Sequence, residues 1–189
     1  MSAPHNHVVV AFDFTLSSYA ALQQAVTTAR ESTDDLHVVC VVEPHHPLPG
    51  IPGEHVDYVY AERVEHAVAD EVARHLAAVD RVGVHVCIHV RIGRPSDEIL
   101  AVAADVGADV VIVGSRGQLG LRHLLAGSVA ERVVREARCA VVVARPKAYE
   151  TKELDDVVEV DPHHTYRPPH RYYYEDHRAG MRPVDWPLY

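Results

Sequence analysis

Ala108-Asp109-Val110-Val111-Ile112-Val113-Gly114-Ser115-Arg116-Gly117, followed after nine residues by Gly127-Ser128, decides the reading of this chain. An apolar run broken only by Asp109 ends in glycine, and a helical pattern begins at Ser128. That is a strand handing over to a helix through a glycine-rich loop. Glycines in such a loop let the backbone take positive φ and bring N–H groups close to a ligand. Inward-pointing amides, a helix N-terminus and the Ser128 hydroxyl together form an anion site suited to phosphate.

Working outward, the same alternation repeats on both sides. Val8–Phe12 is a short apolar strand with Asp13 at its carboxyl end. Ser17–Arg30 reads as a helix capped by Ser17 or Ser18, and Leu36–Val42 as a second strand. The proline- and glycine-bearing stretch His45–His55 is a loop. Val56–Asp80 then carries Val64, Val68, Val72, Leu76 and Val79 as one helical stripe. Gly83–Arg91 alternates apolar residues with His85, Cys87 and His89, which predicts a strand with one wetter face. Pro95 suits the first turn of a helix over Ser96–Val106, Gly107 ends it, and Asp109–Val113 is the fourth strand. Ser128–Ala137 and the apolar Cys139–Ala144 complete the series. Strands alternating with helices imply an α/β fold with a doubly wound, Rossmann-like, five-stranded parallel sheet. Ligands of such sheets bind outside the carboxyl ends of the strands. Asp13, Val41 and Gly114 all lie at such ends.

The chain has 189 residues and a formal charge of −9. One cored domain over 1–147 and an extension over 148–189 fit that length. The acidic balance argues against nucleic acid as a partner. A membrane span or secretory leader is not expected, since an apolar run of membrane-crossing length is missing and Met1–Ala11 lacks a basic start. The expected location is the cytoplasm. Three cysteines, Cys40, Cys87 and Cys139, fall in strand-like runs without zinc spacing and are read as buried small hydrophobes. There are 15 histidines. The adjacent pairs His45-His46 and His163-His164 lack a nearby cysteine or a carboxylate four residues on, so they read as solvated and not as a metal site. Residues 148–189 hold nine acidic and five basic side chains, four histidines, five prolines and six tyrosines, with the single Trp186. Aromatics at that density favour an extended arm that packs on its own subunit or a partner.

Gly114-x2-Gly117-x9-Gly127-Ser128 resembles the nucleotide-binding signature of the universal stress protein family, with no gap or substitution. The resemblance extends over 7–146. It includes Asp13-Phe14-Thr15, Gly93-Arg94-Pro95-Ser96-Asp97-Glu98-Ile99, Gly127–Val133 and Val141-Val142-Val143. It implies an ATP-binding member, taking ATP, ADP or AMP, with Mg2+ as a companion held through the phosphates. It also implies residue roles. Asp13 contacts the ribose or adenine side, the backbone of Val41 bonds the adenine, and Gly114, Gly117, Gly127 and Ser128 hold ribose and phosphates. Ser115, Arg116, Val129 and Ala130 lie beside them, and Arg122 and His123 are further candidates for the phosphates. Finally it implies a homodimer through Cys139–Ala144, a strand that is also apolar enough to invite pairing at a sheet edge.

Other nucleotide chemistries fit poorly. A Gly-x4-Gly-Lys-Ser/Thr loop and a Gly-x-Gly-x2-Gly after the first strand are both missing from the sequence. The signature loop supplies donors but no carboxylate to act as a base on water. A nucleotide sensor or regulator in stress response is therefore the expected function, with a slow ATPase or autophosphorylating protein as the alternative. The protein partner is not legible from the sequence.

Overall fold

The computed structural model describes residues 6–29, 35–48, 50–53, 55–78, 84–115 and 128–149, with the backbone of 172–173 and 182–183. The elements run β1 (His7–Ala11), α1 (Leu16–Thr28), β2 (Asp35–Val42), α2 (Tyr58–Ala78), β3 (His85–Ile92), α3 (Pro95–Val106), β4 (Val110–Gly114), α4 (Ser128–Glu136) and β5 (Ala140–Ala144). The five strands form one parallel sheet in the order β3-β2-β1-β4-β5. Two further two-residue strands, β6 (Tyr172–Tyr173) and β7 (Arg182–Pro183), pair antiparallel within the separate unit 148–189. The expected packing of Tyr174, Trp186 and Tyr189 lies outside the described residues.

Period-two alternation splits the core into two halves, one per sheet face. Val8, Val10 and Phe12 of the first strand and its exit pack with Leu22 and Val26 of α1 and Val64, Val68 and Val72 of α2. Val9, Val39, Val41, Val111 and Val113 point the other way, onto Ile99 and Val102 of α3 and Val133 of α4. The central strands β1, β2 and β4 are covered on both faces, which is why they read as continuous apolar runs. The edge strand β3 keeps the alternating pattern the sequence predicts, with His85 and Cys87 exposed.

Local signals explain the ends. Gly107 takes φ +66° and closes α3, the left-handed conformation that favours glycine. The loop after β2 is anchored: the Leu48 amide donates to the Tyr60 hydroxyl at 2.7 Å, and both side chains are buried. Two expectations need correction. The cap of α1 is Thr15, whose hydroxyl accepts from the Ser18 amide. Ser17 and Ser18 are instead buried within the helix, because their side chains face β4 and the loop after β1. Cys40 is buried, but Cys139 is only partly so and Cys87 is exposed. An edge strand has one uncovered face, and Cys87 stands on it.

Candidate functional site

The strand order places β1 beside β4, so the chain direction of winding reverses between them. In open sheets of this kind, ligands bind at the carboxyl edge where the winding reverses. Phe12–Thr15 leaves β1 and Gly114–Ser115 leaves β4. Two of the expected site segments therefore emerge side by side.

Asp13 is held by a closed set of hydrogen bonds. Its Oδ1 accepts from the Thr15 amide at 3.1 Å and from the Thr15 hydroxyl at 2.6 Å. The Thr15 hydroxyl in turn accepts from the Ser18 amide at 3.3 Å. The Asp13 amide donates to Ser18 Oγ at 3.2 Å, and that hydroxyl donates to the Thr15 carbonyl at 3.0 Å. One local network thus caps α1 and fixes the carboxylate. Between them Phe14 sits at φ +63°, a region a non-glycine residue rarely takes. Such a residue costs about 1–3 kcal/mol. Here ring packing offsets it: Phe14 lies 4.8 Å from Phe12, which meets Tyr19 edge-on at 5.1 Å.

Val41 is buried near the end of β2. The Val39 carbonyl takes the Phe12 amide on the β1 side, and the Val42 carbonyl takes the Gly93 amide on the β3 side. Alternation along a parallel ladder turns the Val41 main chain toward β1, near the carboxyl end of β2.

Gly114 differs from the expectation of left-handed freedom. It is the last residue of β4, in register with Ala144, and the described glycines at positive φ are Gly50 and Gly107. Its lack of a side chain serves packing. A Cβ there would lie 2.8 Å from the Ser17 carbonyl carbon and 2.9 Å from its oxygen, since the first turn of α1 rests on this strand. Ser115 is buried, and its amide donates to the Ala144 carbonyl at 2.9 Å, extending the β4–β5 ladder. That donor is spent on the sheet. Ser128 opens α4 and is exposed, Val129 is partly buried and Ala130 buried. Arg116, Gly117, Arg122, His123 and Gly127 lie outside the described residues.

α4 is locked to α3 by one arginine. Arg132 reaches Asp97 at 2.6 Å, Ser96 Oγ at 3.2 Å and Glu136 at 3.1 Å. Glu136 is held below the ordinary carboxylate range by its bond to Arg132 and, secondarily, to Arg135. Sequence reasoning quoted Thr15, Phe14 and Arg132 within motifs but gave them no role. The first had a signal, because Asp13-x-Thr15-x-x-Ser18 has the spacing of an Asx turn running into a helix cap.

A different cluster occupies the opposite, amino edge of the sheet. His7 Nδ1 lies 3.1 Å from His37 Nε2, and His37 Nδ1 lies 3.1 Å from His89 Nε2. Burial, then the neighbouring His89 and His7, holds His37 below its usual range; burial and Arg91 do the same for His89. A shallow hollow of about 420 Å3 between Tyr58, Glu62 and Glu65 of α2 and Ile88–Arg91 of β3 shares no residue with the carboxyl-edge site. Among the described residues, no helix is long and apolar enough to cross a membrane.

Comparison with known proteins agrees with this architecture. The chain is 32% identical over 148 residues to universal stress protein YxiE of Bacillus subtilis, covering 74% of this chain and 99% of the relative. It is 29% identical over 144 residues to universal stress protein MJ0531 of Methanocaldococcus jannaschii, covering 76% and 84%. Among solved structures, a universal stress protein in complex with cAMP superposes with a TM-score of 0.56 at 23% identity, over 75% of this chain and 98% of that one. At that identity the likeness establishes the fold. Residues 4–145 match the universal stress protein family, and the chain belongs to that family.

Proposed function

We propose that this protein binds an adenine nucleotide, ATP in the first instance, at the carboxyl edge between β1 and β4, and works as a cytoplasmic nucleotide-dependent regulator in stress response. The reading rests on Asp13, whose carboxylate accepts from the Thr15 amide and hydroxyl where β1 ends beside β4, and on Val41 near the end of the neighbouring β2, whose main chain the ladder alternation turns toward β1. A fixed carboxylate is a hydrogen-bond acceptor for ribose hydroxyls, and a strand-end main chain reads the adenine edge. Ser128 at the start of α4 supplies a hydroxyl and helix amides for the phosphates, with Gly114, Ser115, Arg116, Gly117, Gly127 and Val129 around them. A relative with cAMP bound supports the class of ligand. Mg2+ would enter with the phosphates. The domain 1–147 carries this site, and 148–189 is an added extension. The edge strand β5, partly exposed at Val142, is where a second copy would pair.

Titration calorimetry of the full chain with ATP and AMP tests the assignment. A hydrogen bond to a charged group is worth about 1.5–3 kcal/mol, so Ser128→Ala should weaken binding roughly tenfold to a hundredfold. Gly117→Val should abolish it, because a branched side chain in the signature loop would crowd the phosphates the proposal places there. Unchanged affinity in both variants would remove the site from this edge.

A further inference from the structure

We propose that the amino edge of the sheet holds a divalent cation site of the zinc class, formed by His7, Asp35 and His37. The ligand atoms of these three residues lie within 4.8 Å of one another. Strand register brings them together. His7 pairs with Asp35 across β1 and β2, and His37 lies two residues on, on the same face as Asp35. The separation of His7 Nδ1 from His37 Nε2 is 3.1 Å, and that of His7 Nδ1 from Asp35 Oδ2 is 3.8 Å. Nitrogens bound tetrahedrally to zinc at 2.0–2.1 Å stand about 3.3 Å apart. The observed pair of imidazoles therefore already straddles a space of the right size, and a small rotation of the half-buried His7 and Asp35 side chains completes it.

The surrounding groups are arranged as supports of a metal site are. His37 is 6% exposed, and its Nδ1 faces His89 Nε2 at 3.1 Å. Donation of Nδ1–H to His89 leaves the lone pair of His37 on Nε2, the atom aimed at His7. An outer partner that fixes the tautomer of a ligating imidazole is the usual companion of a bound ion. Asp35 is shared in the same way. Its Oδ1 lies 3.4 Å from His85 Nδ1, while Oδ2 faces His7. The amide of His7 is itself held by Asp109 Oδ2 at 2.8 Å, which ties the start of β1 to the turn before β4. Two imidazoles and one carboxylate suit Zn2+, with water in the fourth position. Binding moves the His7 proton from Nδ1 to Nε2. The ion would clip together the amino ends of β1 and β2, at the edge opposite the carboxyl-edge site.

The full chain, stripped with a chelator, is titrated with zinc chloride by calorimetry, and its thermal melt is followed by circular dichroism. The expected results are one high-affinity ion per chain and a raised Tm. His7→Gln and Asp35→Asn should each weaken binding more than the loss of an outer-shell partner does, which is about ten- to a hundredfold. His89→Ala should cost about ten- to a hundredfold, whereas His89→Gln, which keeps an acceptor for His37 Nδ1–H, should restore most of it. His163→Gln/His164→Gln should leave the high-affinity ion in place. His37 is too buried to serve as the main test, so the half-exposed His7 and Asp35 carry it. The proposal is overturned if the parent binds no zinc, if His7→Gln and Asp35→Asn bind like the parent while folded, or if only His163→Gln/His164→Gln loses the ion.

Discussion

Gly114→Ala isolates the contact on which the carboxyl edge is built. The added Cβ would stand 2.8 Å from the Ser17 carbonyl carbon, 2.9 Å from the carbonyl oxygen and 3.0 Å from Cβ. The two nearest atoms are main chain inside α1, so no side-chain rotation relieves the overlap. The helix or the strand end must move. Overpacking of this kind costs typically 1–3 kcal/mol, and a backbone clash belongs in the upper half of that range. For a chain of this size each kcal/mol lowers Tm by about 2–4 °C, so a fall of roughly 4–12 °C is expected by scanning calorimetry. Gly107→Ala is the comparison. Its Cβ would meet nothing within 4 Å, but its φ is +66°, so it should cost only the left-handed strain of about 1–2 kcal/mol. Ser17→Ala should not rescue Gly114→Ala, because the obstructing carbonyl remains. A folded Gly114→Ala protein melting within about 1 °C of the parent would refute the close packing of α1 on β4.

Three further outcomes are expected. Thr15→Ala removes the α1 cap and the 2.6 Å bond to Asp13; it should cost about 0.5–2 kcal/mol in denaturant unfolding, and a nucleotide affinity untouched by it would separate Asp13 from the ligand. Val142→Lys, on the exposed edge of β5, should turn a homodimer into monomer or insoluble protein, and light scattering that finds the unaltered chain monomeric at micromolar concentration ends that idea. Thiol labelling should follow exposure and thiolate content: burial, helped by Asp13, pushes Cys40 up to about 12 and burial also raises Cys139. Near about pH 8 the exposed Cys87 should react first and Cys139 slowly, while Cys40 waits for unfolding, because the thiolate is the nucleophile. Raising the pH toward 9 should not bring Cys40 into reach, and early mass-labelled Cys40 would contradict its burial.

The sequence by itself determined the order and kind of the elements. Continuous apolar runs at 8–10, 38–42 and 110–113 are satisfied by strands covered on both faces, and the stripe Val64, Val68, Val72 by a helix with one buried side. Gly107 and Pro95 fixed the ends of α3 because each restricts or frees φ locally. It also raised the expectation, still a proposal, of a ligand site at the β4–α4 loop. The tertiary structure decided everything that depends on which strands become neighbours. Only the order β3-β2-β1-β4-β5 shows that Asp13 and Gly114 leave adjacent strands, and that Gly114 is small because α1 rests on it. The serines expected to cap α1 are buried and Thr15 does that work, since a cap is chosen by where the chain turns and several neighbouring hydroxyls qualify equally in sequence. The histidines tell the same story. The adjacent pairs that catch the eye in the sequence do not make the cluster, whereas His7, His37 and His89, with successive separations of 30 and 52 residues, are joined by parallel register. Register pairs residues across crossovers of a length that local patterns do not encode.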